Sequence, residues 1–359
     1  MSSGCHTLLD YSVIYCKEDV SILAGVFKVF HEIFRDEFGF TPSYKDIIRI
    51  ARLSFTTYYR RPYNAIDITN ITSDRNIDKI IRKGYYGGKT EVFSRTLNDG
   101  ELCYSYDFPS MYGIAMCEML PVGPVIQYDT SNIIDVSGYI LAFDARGLVG
   151  FISVDFVAPN IECPVLPVKA KTRKSRGVKL MFCVGKGSGT YYTKELIYAM
   201  SLGYKVLNIH KVLAFKGGYP LKSHVSKLIT RKSEAGEAGN NVLKTIYKML
   251  ITNLYGKFGM NIDSKTTITP ATSVEFLRPL KDVVYMDNYA ICQVHDPKAG
   301  RHRRSTNVSI AAAVTAHGRI ILHSSIMNVL KTNHSARLIY CDTDRMFFAA
   351  CEPILCRNM

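Results

Sequence analysis

Asp342-Thr343-Asp344 sets two carboxylates one residue apart, with Leu338 and Ile339 before them and Met346 and Phe347 after. The pattern predicts a strand, an acidic turn and a second strand over 337–348. Two carboxylates crowded at such a tip are relieved when a cation neutralises their repulsion, so the turn is a candidate metal site. Asp-x-Asp alone also describes solvated turns, and glycosyltransferases use the same triplet to hold a metal on a sugar nucleotide. Partners decide between these readings. Asp107 is the first, because residues 101–106 alternate like a strand that Asp107 ends, ahead of Pro109 and a short helical stretch over 110–119. A third carboxylate converging from another strand suffices to hold two hard cations about 4 Å apart, the arrangement that binds a nucleoside triphosphate and activates a hydroxyl. Taken singly, Asp107 reads better as a strand-end residue capping the next helix.

The second partner is a row of side chains on one helix. At 3.6 residues per turn Lys244, Lys248, Thr252 and Tyr255 share a face, followed by Gly256, which permits close approach or a helix end. Two ammonium groups in line can hold phosphates while the phenol packs against a base pair; the plainer reading is a solvated basic face beside a buried tyrosine. A phosphate-binding loop at 84–90 is rejected, because three residues separate Gly84 from Gly88 where that motif needs four before Gly-Lys-Thr.

The surrounding chain must fold these residues into one site. Its 359 residues are 47% hydrophobic, enough for two or three packed modules and too many for a disordered tail. Lys and Arg outnumber Asp and Glu by 45 to 31, and the resulting charge of +14 suits a polyanionic partner, nucleic acid above all. Twenty-three Tyr and seventeen Phe supply faces that can stack on bases, although most aromatics are core. Ten scattered Cys form no CxxC pair and have no His at zinc spacing, which argues against a metal framework and for a reducing compartment. The start has no signal-peptide pattern and no apolar run spans a bilayer, so export and a membrane partner are not expected; residence in an organelle would require synthesis there or a removed leader.

Helical spacing predicts a long amphipathic helix over 13–38 closed by Gly39. Residues 58–83 read as a connection before the turn Gly84-Tyr85-Tyr86-Gly87-Gly88, placing a boundary near residue 80. Residues 136–215 alternate short apolar stretches with Gly and Pro and carry a basic block from Lys169 to Lys179, a solvated loop or a phosphate contact. Residues 223–255 read as two lysine-bearing helices split at 234–241; 263–296 as short strands; Arg301 to Arg304 as a basic turn; and 307–330 as an Ala-rich helix.

Taken in order, these motifs resemble those of family B DNA polymerases, in particular the protein-primed branch of linear mitochondrial plasmids and some bacteriophages. Asp107-Phe108-Pro109-Ser110-Met111-Tyr112 is similar to motif A, Lys248 through Tyr255-Gly256 to motif B, and Tyr340-Cys341-Asp342-Thr343-Asp344 to motif C. Tyr85-Tyr86-Gly87-Gly88 resembles the Tyr-x-Gly-Gly element linking exonuclease and polymerase modules, and Tyr15-x3-Asp19 the third exonuclease motif. The resemblance implies an α+β palm with an antiparallel sheet, helical fingers, a helical exonuclease remnant before them and a largely missing thumb. Expected segments are 1–80 for the remnant and linker, 81–222 for palm with insertion, 223–262 for fingers, and 263–359 for a second insertion and the motif C hairpin.

It further implies two Mg²⁺ or Mn²⁺ held by Asp107 and Asp344, with Asp342 nearby and the Phe108 carbonyl assisting. Ser110 and Met111 would lie by the triphosphate of a deoxynucleotide, with Tyr112 as steric gate against a ribose 2′-hydroxyl. Lys244 and Lys248 would neutralise phosphates, Tyr255 would pack at the nascent pair, and Tyr85, Gly87, Gly88 and Gly256 would meet DNA. Implied partners are primer-template DNA, deoxynucleotides and a terminal-protein primer, and the implied setting is mitochondrial, on a linear plasmid. Departures are Thr252 for Asn, Asn253 for Ser, Arg345 for Ser and Gly113 for Pro. The other exonuclease motifs and the downstream Lys-x-Tyr element are missing, so proofreading is expected to be lost and the chain to be a partial copy. The rival expectation is a non-catalytic DNA-binding remnant.

Overall fold

A computed structural model describes residues 7–43, 49–60, 74–171, 178–261, 266–270, 280–285, 290–295 and 306–354. The chain forms two compact units, Met1–Arg61 and Pro62–Met359.

The first unit contains α1 (Leu8–Phe38) and α2 (Ile50–Tyr59). Helix α1 starts earlier than its apolar spacing predicts because Thr7 and Asp10 form a reciprocal cap: Thr7 Oγ1 accepts from the Asp10 N–H at 3.1 Å while the Asp10 carboxylate accepts from the Thr7 N–H at 2.9 Å. It stops at Gly39, whose φ of 70° is the left-handed conformation that ends helices. Phe34 is fully buried among Phe30, Phe38 and Phe40. Tyr15 and Asp19 both stand exposed on α1.

The first described helix of the second unit is α3 (Arg75–Lys83), which spans the position near residue 80 where the sequence suggests a boundary. Asp74 caps this helix by accepting from the Asn76 and Ile77 N–H groups. It belongs to the second unit because Arg82 donates to the Gly259 and Met260 carbonyls at 3.1 and 3.2 Å, holding the C-terminal end of a later helix. The segment expected to be a mere connection therefore carries a helix packed into the larger unit.

Four antiparallel strands form the sheet that carries the acidic turn, in the order β1 (Thr90–Val92), β12 (Arg337–Asp342), β13 (Arg345–Ala350), β2 (Leu102–Asp107). Because side chains alternate along a strand, Met346, Phe348 and Ala350 point into the core while Arg345 and Phe347 point to the open face. The register pairs Arg345 with Asp107 on one side and Asp342 on the other, so these three share that open face. The core side is covered by α9 (Val308–Thr332), which contributes Leu322, Ile326 and Val329. Its first half is buried all round, a consequence of the small side chains Ala311, Ala312, Ala313 and Ala316.

Between the two halves of this sheet the chain inserts α4 (Met111–Met116) and a second antiparallel sheet, β3-β8-β4-β7. Its strands are β3 (Leu120–Tyr128), β4 (Leu148–Ala158), β7 (Gly185–Tyr192) and β8 (Lys205–Gly218), with the ribbon β5 (Pro167–Lys171) and β6 (Val178–Phe182) between. Helices α5 (Val136–Ala145) and α6 (Thr193–Ser201) cover it; the mixed apolar and Gly-rich pattern of 136–215 hid both. The expected split helix is α7 (Lys222–Glu237) and α8 (Asn241–Gly259), packed on one another. A small antiparallel sheet of β9 (Thr266–Pro270), β10 (Leu280–Tyr285) and β11 (Ala290–His295) agrees with the short strands expected there. The basic turn from Arg301 to Arg304 and the centre of the Lys169 block lie outside the described residues.

Candidate active site

Strand β2 ends at Asp107 and the turn between β12 and β13 holds Thr343 and Asp344, so strand pairing brings the predicted carboxylates together. The turn is fastened on three sides: Thr343 N donates to the Lys89 carbonyl at 2.8 Å, Asp344 N to the Asp342 carbonyl at 2.7 Å, and Phe108 N to the Asp344 carbonyl at 2.8 Å. Thr343 has φ of 60° and Ser110 φ of 61°, the positive-φ non-glycine residues among those described. Left-handed backbone at a β-branched residue is costly, roughly 1–3 kcal/mol, and survives where the surroundings over-determine it. Both strained residues sit beside the carboxylates.

Electrostatics mark Asp344. Partial burial raises its carboxyl pKa first, the Asp107 charge raises it further, and Arg345 and the local backbone oppose the rise. A carboxylate pushed towards protonation by burial and by a second carboxylate fits a hard cation, which would reverse both effects. Asp342 is differently placed. Its Oδ1 accepts from Thr90 Oγ1 at 2.9 Å and Thr343 Oγ1 at 3.2 Å, and among the described residues no group of three acidic, His or Cys side chains gathers as a metal cage. Arg345 Nε donates to Asp107 Oδ1 at 3.2 Å in a salt bridge whose two side chains are both about 60% exposed.

Tyr112 stacks on Tyr255 with ring centroids 4.7 Å apart. Burial raises both phenol pKa values. A methyl group at Gly88 would lie 3.0 Å from the Thr343 side chain and 3.1 Å from the Tyr112 hydroxyl, so Gly88 is a glycine because the acidic turn and Tyr112 press on it. At Gly113 a Cβ would meet Ile251 at 3.0 Å and Ile229 at 3.2 Å, which accounts for a small residue where α4 wedges against α7 and α8. Tyr85 packs on Gly259, and Gly87 accepts from Arg319 through its carbonyl. Gly256 neither ends α8, which runs on to Gly259, nor receives a close protein neighbour; it is exposed.

Lys244 and Lys248 are exposed on α8 as their spacing predicts. Sequence spacing did not single out Lys232 of α7, whose Nζ donates to Ser110 Oγ. Its pKa is lowered by burial, then by Lys248 and Lys244, so three ammonium groups share one neighbourhood next to the strained Ser110. The signal was present as a second lysine-bearing helix; only the pairing of α7 with α8 shows which lysine turns inward. Thr252 and Asn253 turn back to their own helix, donating to the Lys248 and Met249 carbonyls, both at 2.9 Å. Lys89 cannot serve a phosphate loop: it is buried, donates to the Pro164 carbonyl at 2.7 Å and lies 4.1 Å above the Phe182 ring. Lys169 of the basic block likewise caps α3 through the Arg82 and Lys83 carbonyls, at 3.0 and 2.9 Å. Among the described residues no helix is long and apolar enough to cross a membrane.

Residues 2–295 match the family described as DNA polymerase type B, organellar and viral. A probable DNA polymerase of Ascobolus immersus is 27% identical over 346 residues, covering 92% of this chain and 26% of the relative. The DNA polymerase of snake adenovirus serotype 1 is 24% identical over 291 residues, 73% of this chain and 26% of the relative. Phi29 DNA polymerase, solved in complex with primer-template DNA and incoming nucleotide substrates, superposes with a TM-score of 0.61 at 19% identity, over 95% of this chain and 53% of its own. The chain thus spans about a quarter of the length of the curated relatives it matches. With the α+β fold shared and most of its length matched, the chain belongs to the organellar and viral type B DNA polymerases.

Proposed function

We propose that this chain carries the nucleotidyl-transfer centre of a DNA-directed DNA polymerase, acting by a two-metal mechanism in protein-primed replication of a linear organellar plasmid. The observation that carries the reading is the convergence of Asp107 and Asp344 beside a nest of three lysines at the start of α4. A triphosphate bridges such a pair of regions, its oxygens drawn to lysines on one side and to carboxylate-bound cations on the other. Mg²⁺ or Mn²⁺, when bound, lowers the pKa of the attacking hydroxyl and stabilises charge on the transferred phosphoryl group. Asp107 and Asp344, with the Phe108 carbonyl, would hold the cations. Asp342 acts one step back in this reading, since its Oδ1 is engaged by Thr90 and Thr343.

Lys232, Lys244 and Lys248 draw in the phosphates, Ser110 lines their path together with the backbone of Met111, whose side chain is buried in the core under the sheet, and Tyr112 and Tyr255 form the wall against the sugar and base. Tyr85, Gly87, Gly88 and Gly256 would lie along the DNA. Residues 1–80 are read as the remnant of an exonuclease domain, including Tyr15 and Asp19, together with the linker that follows it, with palm and insertions over 81–222 and 263–359 and fingers over 223–262. The partners proposed are primer-template DNA, deoxynucleotides and a terminal protein, in a mitochondrial setting supported by the organellar type of the family and its fungal relatives.

Primer extension with Mg²⁺ or Mn²⁺ tests this. Incorporation by the parent that disappears in Asp107→Ala and in Asp344→Ala is expected; a parent that neither incorporates nor binds nucleotide with metal refutes it. The Asp107–Arg345 ion pair favours a second reading, a DNA-binding chain without chemistry. Salt-sensitive DNA affinity that survives both substitutions, with no incorporation even in Arg345→Ser, would establish it.

A further inference from the structure

Tyr112 is enclosed on three sides. Tyr255 stacks on its face, Gly88 meets its hydroxyl, and Gly318 of α9 meets its edge, where an added Cβ would lie 3.1 Å from the ring. Two of these walls, the strand entry at Gly88 and the helix turn at Gly318, come from distant parts of the chain. One side chain joins them. Arg319, next to Gly318, is 2% exposed; its Nη1 donates to the Tyr86 carbonyl at 2.9 Å and the Gly87 carbonyl at 2.8 Å. Its other edge is held by Glu195 of α6, fully buried, through a fork of 2.6 Å from Nε and 2.8 Å from Nη2. Four of the five guanidinium N–H groups are thereby satisfied, and the ring of Tyr86 lies 5.6 Å from the guanidinium carbon.

Burying an ion pair is a poor way to gain stability, because the desolvation of both ions offsets most of their attraction. What the fork does provide is a fixed distance. The two peptides just before Gly88 are tied to the helix turn that begins at Gly318, so the gap in which the Tyr112 ring sits cannot widen unless hydrogen bonds break. We propose that Glu195 and Arg319 are positioning residues that set the width of the Tyr112 slot and through it the discrimination between deoxyribose and ribose at the incoming nucleotide. This deepens the proposed function and rests on it, since it takes Tyr112 as the wall against the sugar. Neither residue touches substrate; Glu195 orients Arg319, and Arg319 fixes Gly88 against Tyr112 and the Thr343 turn.

The test uses the full chain with primer-template DNA and Mn²⁺, measuring equilibrium binding of dCTP and CTP and hydrogen exchange at the amides of Gly88 and Lys89. Arg319→Ala would strand the Glu195 charge and could fail to fold, so two gentler variants are used. Arg319→Lys keeps the charge but cannot hold Glu195 and two carbonyls together; Arg319→Met with Glu195→Leu removes both charges at similar volume. In each, CTP binding should rise against dCTP so that discrimination falls by about tenfold, the equivalent of roughly one charge-assisted hydrogen bond, while dCTP affinity changes less than about threefold. Exchange at Gly88 and Lys89 should quicken. A merely structural role would instead lower both affinities together. Folded variants with the parent's discrimination overturn the inference alone; a parent that binds neither nucleotide overturns the proposed function and this inference with it.

Discussion

Replacing Arg345 with Ser should tighten divalent-cation binding, and the geometry sets by how much. The Arg345 guanidinium occupies an Asp107 oxygen at 3.2 Å, with side chains 62% and 60% exposed. Exposed pairs of this kind contribute roughly 0.2–1 kcal/mol, so freeing Asp107 accounts for a gain of about 1.4- to 5-fold. A second effect acts through space. A dication about 6 Å from the guanidinium is repelled by roughly 1.4 kcal/mol at the dielectric constant of water, or about tenfold, and salt screens this term. Calorimetric titration with Mn²⁺ should therefore show Arg345→Ser binding up to about fifty-fold more tightly at low ionic strength, falling to a few-fold at high salt. Arg345→Lys, which keeps the charge, should lie near the parent, and Asp107→Asn well below it. If Arg345→Ser binds Mn²⁺ no better than the parent, or its advantage ignores ionic strength, the ion pair is not the competitor inferred from the structure.

Asp344→Asn should abolish cation binding yet raise the melting temperature at neutral pH. The folded chain holds the Asp344 proton more tightly than the unfolded chain, so the ionised carboxylate destabilises the fold fully above its raised pKa and not at all below the unfolded value; a lower melting temperature for the variant would contradict the burial and repulsion assigned to this group. Lys232→Ala should weaken nucleotide binding by roughly tenfold or more, the loss of one charge-assisted contact, with little change in DNA affinity measured without nucleotide. Glu101, lowered to about 2 chiefly by the hydrogen bonds from Arg337, ties the loop before β2 to the start of β12. Its contribution is present above the ordinary value of 4.5 and lost as pH falls towards 2, so Glu101→Gln should flatten the acid limb of the stability curve in that window.

The acidic turn, the strand ending at Asp107 and the lysine face of α8 were legible because each is local: alternation, spacing and turn chemistry lie within a few residues of one another. The long helices were legible for the same reason, and α9 needed only its Ala-rich run and the cap at Asn307, whose Oδ1 accepts from the Ser309 and Ile310 N–H groups. What escaped depends on contacts distant in sequence. Lys232 meets Ser110, Lys169 meets the end of α3, and Arg319 meets Glu195 and the peptides at 86 and 87; no pattern along the chain distinguishes these side chains from ordinary surface charges. The left-handed backbone of Thr343 was hidden for another reason: glycine would announce such a turn, whereas threonine adopts it only under the pull of Lys89 and the paired strands.

Helix α9 offers several elements around the site a different residue. His317 Nε2 donates to the Met119 carbonyl, Gly318 faces Tyr112, Arg319 grips the entry to β1, His323 links Tyr198 and Cys163, and Leu322, Ile326 and Val329 lie under the carboxylate-bearing sheet. One residue added near its middle would turn everything after it by about 100° and break this alignment in a single step. In the course of divergence, insertions and deletions should therefore accumulate in the loops of the β3-β8-β4-β7 sheet and around β9–β11 while the length of α9 stays frozen, making this helix the natural ruler against which distant members of the family can be aligned.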